Sequence, residues 1–328
     1  LPDATSSQPS SSQPSSRIIA WGQLVRLPNV FTVLADVGAA FLLVSGGPAP
    51  MGRLVCVLLG AVLLYWAGMI LNDVFDVDVD RAQRSNRPLA AGTVSISAAK
   101  QAGWSLLALG ILIAGASGYL PSANDETTWL PLVVAILLAI TIVAYDGPLK
   151  KTPLAPAAMG GCRVLSFLLG ASPLLGTVDG FLVPKYVLGT AVGMGTYVMG
   201  LTLFGRREAS GGPSLNLPTG MLVTLFGAVL LAVAPQLNRA PIGWHVADLR
   251  FTFPMLIGLI AFPVVVRAIR AVQDPSPAKI QVTMRIGILT IIPLSAAFAF
   301  LGAGQLWGLA VFSLVVPSLI LARSFRVT

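Results

Sequence analysis

Charge is scarce in this 328-residue chain: Asp, Glu, Lys and Arg together make up 10% of it, against about 25% in an ordinary soluble domain. With 55% hydrophobic residues and a mean hydropathy of +0.82, a water-soluble globular domain is excluded and a polytopic membrane protein is left. Histidine is nearly absent. The single one, His245, falls in a loop far from the carboxylates, which argues against His-based acid–base or nucleophilic chemistry. Cysteine is almost as rare: Cys56 and Cys162 lie in or beside apolar runs without metal-ligand spacing and read as small core residues. No strand precedes the glycines at 189, 193, 195 and 200, so a dinucleotide-binding loop is excluded. Their near-helical spacing suits close helix packing instead.

What is present is long apolar runs. A membrane-spanning helix needs about 20 mostly apolar residues, and such runs fall at 20–45, 53–72, 98–120, 129–145, 155–177, 183–205, 217–235, 251–271, 284–301 and 305–322. These predict an all-α, polytopic bundle of nine to ten spans. Gly302-Ala303-Gly304 is either a tight turn between two short helices or a kink in one irregular element. With ten spans, all but four of the 21 Lys and Arg residues share one face, leaving Arg53, Lys185, Arg239 and Arg250 on the other. The positive-inside rule makes the first face cytoplasmic and favours an even count. The net charge of +8 reflects this topology and contact with anionic membrane lipids, with a share left for an anionic substrate; nothing points to nucleic acid. Residues 1–17, rich in Ser, Gln and Pro, are expected to be a disordered tail and lack the pattern of a signal peptide. Residues 18–328 are expected to form a single transmembrane domain.

Against this background, Asn72-Asp73-Val74-Phe75-Asp76-Val77-Asp78-Val79-Asp80-Arg81 stands out, with four carboxylates directly after an apolar span. At 100° per residue, Asn72, Asp76, Asp80 and Asp73 fall at roughly 0°, 40°, 80° and 100°, and Asp78 near 240°. Four ligand-type side chains thus share one helix face. Two carboxylates about 4 Å apart repel by roughly 4 kcal/mol at an effective dielectric of 20, so the face calls for a cation, most simply Mg²⁺. The plainer alternative is a solvated acidic loop beyond a helix end.

The same face carries cations. Arg84 and Arg87 follow the carboxylates, with Arg84 near the ligand face at about 120° until Pro88 ends the helix. Later loops give Tyr145-Asp146-Gly147-Pro148-Leu149-Lys150-Lys151 and Arg206-Arg207-Glu208. Arg offers planar bidentate donors and Lys a point charge, both suited to phosphate oxygens. Any one of them could simply obey the positive-inside rule; the set, beside the acidic face, reads as a Mg²⁺–diphosphate cradle.

The run Asn72 to Asp80 fits N-D-x-x-D-x-x-x-D, and with Asn86-Arg87-Pro88-Leu89-Ala90-Ala91-Gly92 it resembles the first Asp-rich motif of the UbiA family of intramembrane prenyltransferases. Arg26-Leu27-Pro28-Asn29 is similar to that family's R-x-x-N, and Tyr145 through Lys150 to its Y-x-x-x-x-K element. The resemblance implies a helical bundle around a central cavity and a prenyltransferase, a transferase of alkyl groups other than methyl. Its partners would be a polyprenyl diphosphate donor and a lipophilic acceptor in the membrane, with Mg²⁺ as cofactor. It implies metal binding by Asp73, Asp76, Asp80 and Asn72, and substrate binding by Asn29, Asn72, Arg84, Arg87, Arg206, Arg207 and Glu208. Asp73, Asp76, Asp80, Lys150 and Tyr145 would serve catalysis by ionising the allylic diphosphate.

The family's second motif, D-x-x-x-D near the end of the sixth helix, is not matched; Thr202-Leu203-Phe204-Gly205-Arg206-Arg207-Glu208-Ala209 stands there. Either Glu208 anchors a second metal, or Arg206 and Arg207 replace its charge, or catalysis has been lost. The rivals are a terpene cyclase on the same scaffold and a non-catalytic carrier of lipid substrates. A CDP-alcohol phosphotransferase is disfavoured, since Asp146-Gly147 is not continued as D-G-x-x-A-R.

Overall fold

The computed structural model describes residues 14–122, 127–176, 183–207, 212, 214–238 and 243–324. In lipid each backbone N–H and C=O must be satisfied within its own segment, and the described residues are accordingly helical with no strand among them. Among the described residues ten stretches are long and apolar enough to cross a membrane: Leu27–Ser45, Met51–Phe75, Ile96–Tyr119, Leu130–Leu149, Ala155–Leu174, Lys185–Phe204, Asn216–Leu237, Thr252–Gln273, Pro277–Ala303 and Gln305–Arg323. They match the ten apolar runs. An even number of crossings returns the chain to its starting face.

The chain enters through α1 (Pro14–Leu24) and a 3₁₀ turn at Leu27–Asn29. The helix begins inside the segment expected to be a tail, with Pro14 as its first residue, where a missing N–H costs nothing. Then follow α2 (Val30–Ser45), α3 (Met51–Phe75), α4 (Val77–Gln83), α5 (Ile96–Ala116), α6 (Leu130–Ala144), α7 (Ala155–Ala171), α8 (Lys185–Phe204), α9 (Asn216–Val233) and α10 (Thr252–Gln273). The ninth span is α11 (Pro277–Leu289) and α12 (Ile291–Ala303) in series, and the tenth is α13 (Gln305–Ser313) and α14 (Val315–Ser324). Between α12 and α13, Gly304 adopts φ +85°, a region costly for residues with a Cβ. The Gly302–Gly304 segment is therefore the tight turn.

Helix α2 lies inside the bundle, packed against α3, α7 and α12, while α8 joins α7 to α9. Small residues make these approaches possible. A Cβ at Gly200 would lie 2.3 Å from the Thr224 backbone nitrogen, and one at Gly227 2.3 Å from that of Tyr197. Helices α8 and α9 thus touch backbone to backbone, where dispersion replaces the hydrophobic drive that lipid does not supply. Around Tyr197, Phe167, Phe253 and Phe298 the core closes, with Phe253 and Phe298 edge to face at 5.2 Å. The Tyr197 hydroxyl donates to the Gly287 carbonyl at 3.0 Å, so this buried polar tip has a partner.

One cation lies elsewhere than its sequence suggests. Arg163, counted with those of the basic face, sits within α7, eight residues or about 12 Å beyond Ala155. Its Nη1 pairs with Asp36 of α2 at 3.0 Å and its Nη2 donates to Thr32 Oγ1 at 3.4 Å. Asp36 is fully buried, and its Oδ1 has no hydrogen-bond partner. A lone charge at that depth would be costly, and the two residues neutralise each other.

Candidate active site at the tip of α3

Helix α3 runs for 25 residues and ends at Phe75, yet the hydrogen-bond ladder continues. Asp76 N–H donates to Asn72 C=O at 3.1 Å and Asp80 N–H to Asp76 C=O at 2.9 Å. The phase expected from sequence therefore survives: Asn72, Asp73 and Asp80 are buried, while the Asp78 side chain is 89% exposed and pairs outward with Arg81 at 3.5 Å. The helix stops at Gln83, not at Pro88. Arg84 leaves helical geometry with φ −145° and ψ 57°, and Arg87 N–H closes a turn onto its carbonyl at 3.0 Å.

That turn sends Arg87 back over the carboxylates. Its Nη1 lies 2.8 Å from Asp80 Oδ2 and 3.3 Å from Asp73 Oδ1. Asp73 Oδ1 also takes Nη2 of Arg26 at 3.4 Å. Arg26 adopts φ +46°, ψ +54°, a left-handed conformation that non-glycine residues seldom hold without a supporting environment. The remaining carboxylate, Asp76, is paired with Lys150.

Lys150 arrives by a further irregularity. The end of α6 widens into a π-turn, Tyr145–Leu149, containing Pro148; such single turns re-aim side chains and recur at functional sites. Here the π-turn buries Asp146, whose Oδ1 accepts from Asn72 Nδ2 at 2.8 Å while Oδ2 has no partner.

Two cavities meet at this point. The polar one is walled by Arg26, Asn29, Asn72 and Asp76 at the ends of the first two spans, Arg84 and Arg87 from the loop after α4, and Tyr145 and Lys150 at the two ends of the π-turn. Its far wall is α11, through Gln281, Met284, Arg285 and Ile288. The apolar one runs between α2, α3, α6 and α7, past Val33, Tyr65, Gly68, Ile142 and Met159, with Asp146, Arg163 and Ser166 as its polar members. Tyr145 lines both.

Of the residues singled out by sequence, Asn29, Asn72, Asp76, Arg84, Arg87, Tyr145 and Lys150 come together in the polar cavity. Asp73 and Asp80 stand behind it and hold Arg26 and Arg87. Arg206 does not line the cavity: it is exposed, and its guanidinium donates to the Thr152 carbonyl. For Arg207 only the backbone, in a 3₁₀ turn after α8, is described, and Glu208 lies outside the described residues. Sequence reading missed Gln281 and Arg285, whose only signal is their spacing of four on one helix face. It also missed the Asp36–Arg163 pair. Among the described residues no three His, Cys, Asp or Glu side chains converge closely enough to hold a metal by themselves; Asp73, Asp76 and Asp80 are each held by a cation.

Comparison with known proteins gives a consistent picture. The model of the UbiA prenyltransferase family matches residues 30–289. A digeranylgeranylglyceryl phosphate synthase of Methanoculleus marisnigri is 32% identical over 136 residues, covering 42% of this chain and 43% of that protein. Another from Metallosphaera sedula is 27% identical over 130 residues, covering 40% and 42%. The chain spans under half the length of these curated relatives. A solved UbiA homolog from Archaeoglobus fulgidus bound to DMAPP and Mg²⁺ superimposes with a TM-score of 0.61 at 18% identity, covering 89% of this chain and 99% of that one. The apo structure of a UbiA homolog from Aeropyrum pernix K1 gives 0.56 at 16% identity, covering 90% and 98%. At such identities the likeness is one of fold.

Proposed function

Since the chain belongs to the UbiA prenyltransferase family, we propose that it moves a prenyl group from a polyprenyl diphosphate to a lipophilic acceptor within the membrane, with Mg²⁺. One observation carries this reading: Tyr145 is a shared wall between a cavity rich in Arg and Lys and a pocket rich in aliphatic side chains. An allylic diphosphate has the same division, a charged head joined to a hydrocarbon tail at the bond that breaks.

The donor set suits Mg²⁺. That ion takes one or two protein carboxylates and fills its octahedron with substrate phosphates and water, and Asp76 and Asn72 face the polar cavity. When bound, Mg²⁺ would neutralise charge on the diphosphate as it departs. The chain's own residues supply the rest. Lys150, Arg84 and Arg87 would receive the negative charge that develops on the leaving group, where preorganised donors count most. Arg87, anchored on Asp73 and Asp80, is fixed before substrate arrives. The Tyr145 ring would face the allylic cation, and the aliphatic pocket would keep water from it. The basic side of the bundle is taken as cytoplasmic, on the charge asymmetry of its loops, and residues 18–328 are taken as one domain.

The test is to incubate purified protein and Mg²⁺ with labelled geranyl, farnesyl and geranylgeranyl diphosphates plus a lipid extract, then find by mass spectrometry what gains the label. A labelled lipid is expected, with pyrophosphate released in step. A cyclic hydrocarbon formed without acceptor would mark a cyclase, and no pyrophosphate release from any donor would sink the proposal.

A further inference from the structure

Among the described residues the polar cavity is lined by five cationic side chains, Arg26, Arg84, Arg87, Lys150 and Arg285. Three are committed to carboxylates: Arg26 to Asp73, Arg87 to Asp73 and Asp80, and Lys150 to Asp76. Arg84 and Arg285 make no ion pair among the described residues. Arg84 lies on the loop just past the carboxylates, whereas Arg285 reaches the cavity from the opposite side of the bundle. It extends from α11 together with Gln281, one turn earlier on the same face. The span that carries them is Pro277–Ala303, of 27 residues. Arg285 lies eight residues, about 12 Å, past Pro277 and lines the polar cavity across from the acidic tip of α3.

The charge balance of the cavity adds a second constraint. Among the described residues five cations meet Asp73, Asp76, Asp80 and the Asn72-bound Asp146, four carboxylates, leaving a formal charge of +1. A diphosphate ester brings about three negative charges, and a single divalent ion restores neutrality. A second would leave an uncompensated +2 in a partly enclosed site, where unbalanced charge is costly.

We propose that Arg285, assisted by Gln281, is the ligand that the ninth span offers to the diphosphate, and that the site works with one divalent ion. The inference rests on the diphosphate reading given above. It relieves Arg206, turned away toward Thr152, of that task. The guanidinium fork takes two phosphate oxygens at once, and the Gln281 amide adds a neutral donor beside it.

The experiment uses the full chain in nanodiscs of phosphatidylcholine, a lipid without net charge, with inorganic pyrophosphate as the probe. Calorimetry in EDTA and in Mg²⁺ measures its affinity for the unaltered protein and for Arg285→Met, Arg285→Lys and, as a control outside the cavity, Arg81→Met. Electron paramagnetic resonance counts bound Mn²⁺ in the presence of pyrophosphate. Arg285→Met is expected to weaken pyrophosphate binding roughly 10- to 100-fold in both buffers, Arg285→Lys to recover part of the loss, and Arg81→Met to bind as the unaltered chain does. One Mn²⁺ per chain is expected. Unchanged affinity in Arg285→Met would leave that residue as a lipid-facing cation and overturn the inference alone, as would two Mn²⁺ per chain. Absence of pyrophosphate binding by the unaltered protein would overturn the diphosphate reading and this inference with it.

Discussion

Asn72 donates its side-chain amide to Asp146 at 2.8 Å, tying the tip of the second span to the π-turn of the fourth. The bond joins residues 74 positions apart, and it sets where Lys150, four residues on from Asp146, can reach Asp76. Exchanging donor and acceptor tests it. Asn72→Asp alone should bring two carboxylates together and lower pyrophosphate release about tenfold or more, whereas Asn72→Asp with Asp146→Asn should recover much of the folded yield, read by size-exclusion chromatography. Equal yields from the single and double variants would show that the bond does not couple the two spans.

Asp76 is the cavity-facing carboxylate among those of the acidic tip. Asp76→Asn should lower Mg²⁺-dependent pyrophosphate release by about 10²-fold or more with little change in thermal unfolding. Turnover at the unaltered rate would count against ionisation at this site.

Arg87 holds two buried carboxylates at once. Arg87→Met should destabilise the protein by about 3–5 kcal/mol, because it strands Asp80 and leaves Asp73 with Arg26 alone. Adding Asp80→Asn should return part of that loss. Thermal unfolding in detergent reads both; a single variant as stable as the parent would show that the carboxylates find other partners.

The Asp36–Arg163 pair should follow the same pattern more fully. Asp36→Leu alone should cost about 3–5 kcal/mol, while Asp36→Leu with Arg163→Met should be near neutral. Thermal unfolding of the four combinations would decide it, and additive losses would mean that the pair does not act as a unit.

The ten spans were legible because lipid leaves a chain few ways to satisfy its backbone, so apolar length alone reports each crossing. The acidic tip was legible for a related reason: Asn72, Asp73, Asp76 and Asp80 stand out against residues that are nearly all aliphatic. What could not be read was rotational phase. In a soluble bundle the polar face of each helix shows which way it points, but α11 carries Lys279 and Thr283 on one side and Gln281 and Arg285 on another, and nothing local tells which pair looks into the cavity. The Asp36–Arg163 pairing joins positions 127 apart and depends on how α2 packs on α7. The π-turn at Tyr145 was hidden as well, since Pro148 signals a break without specifying its direction.

Helix α3, with its 25 residues, measures about 37 Å, several ångströms more than the oily layer it crosses. With that excess on the basic side, its acidic end would stand level with the phosphates of the surrounding phospholipids. On the function proposed above, a prenyl donor dissolved in the leaflet would carry its own head at that height, and could reach the site by lateral drift without ever being lifted into water.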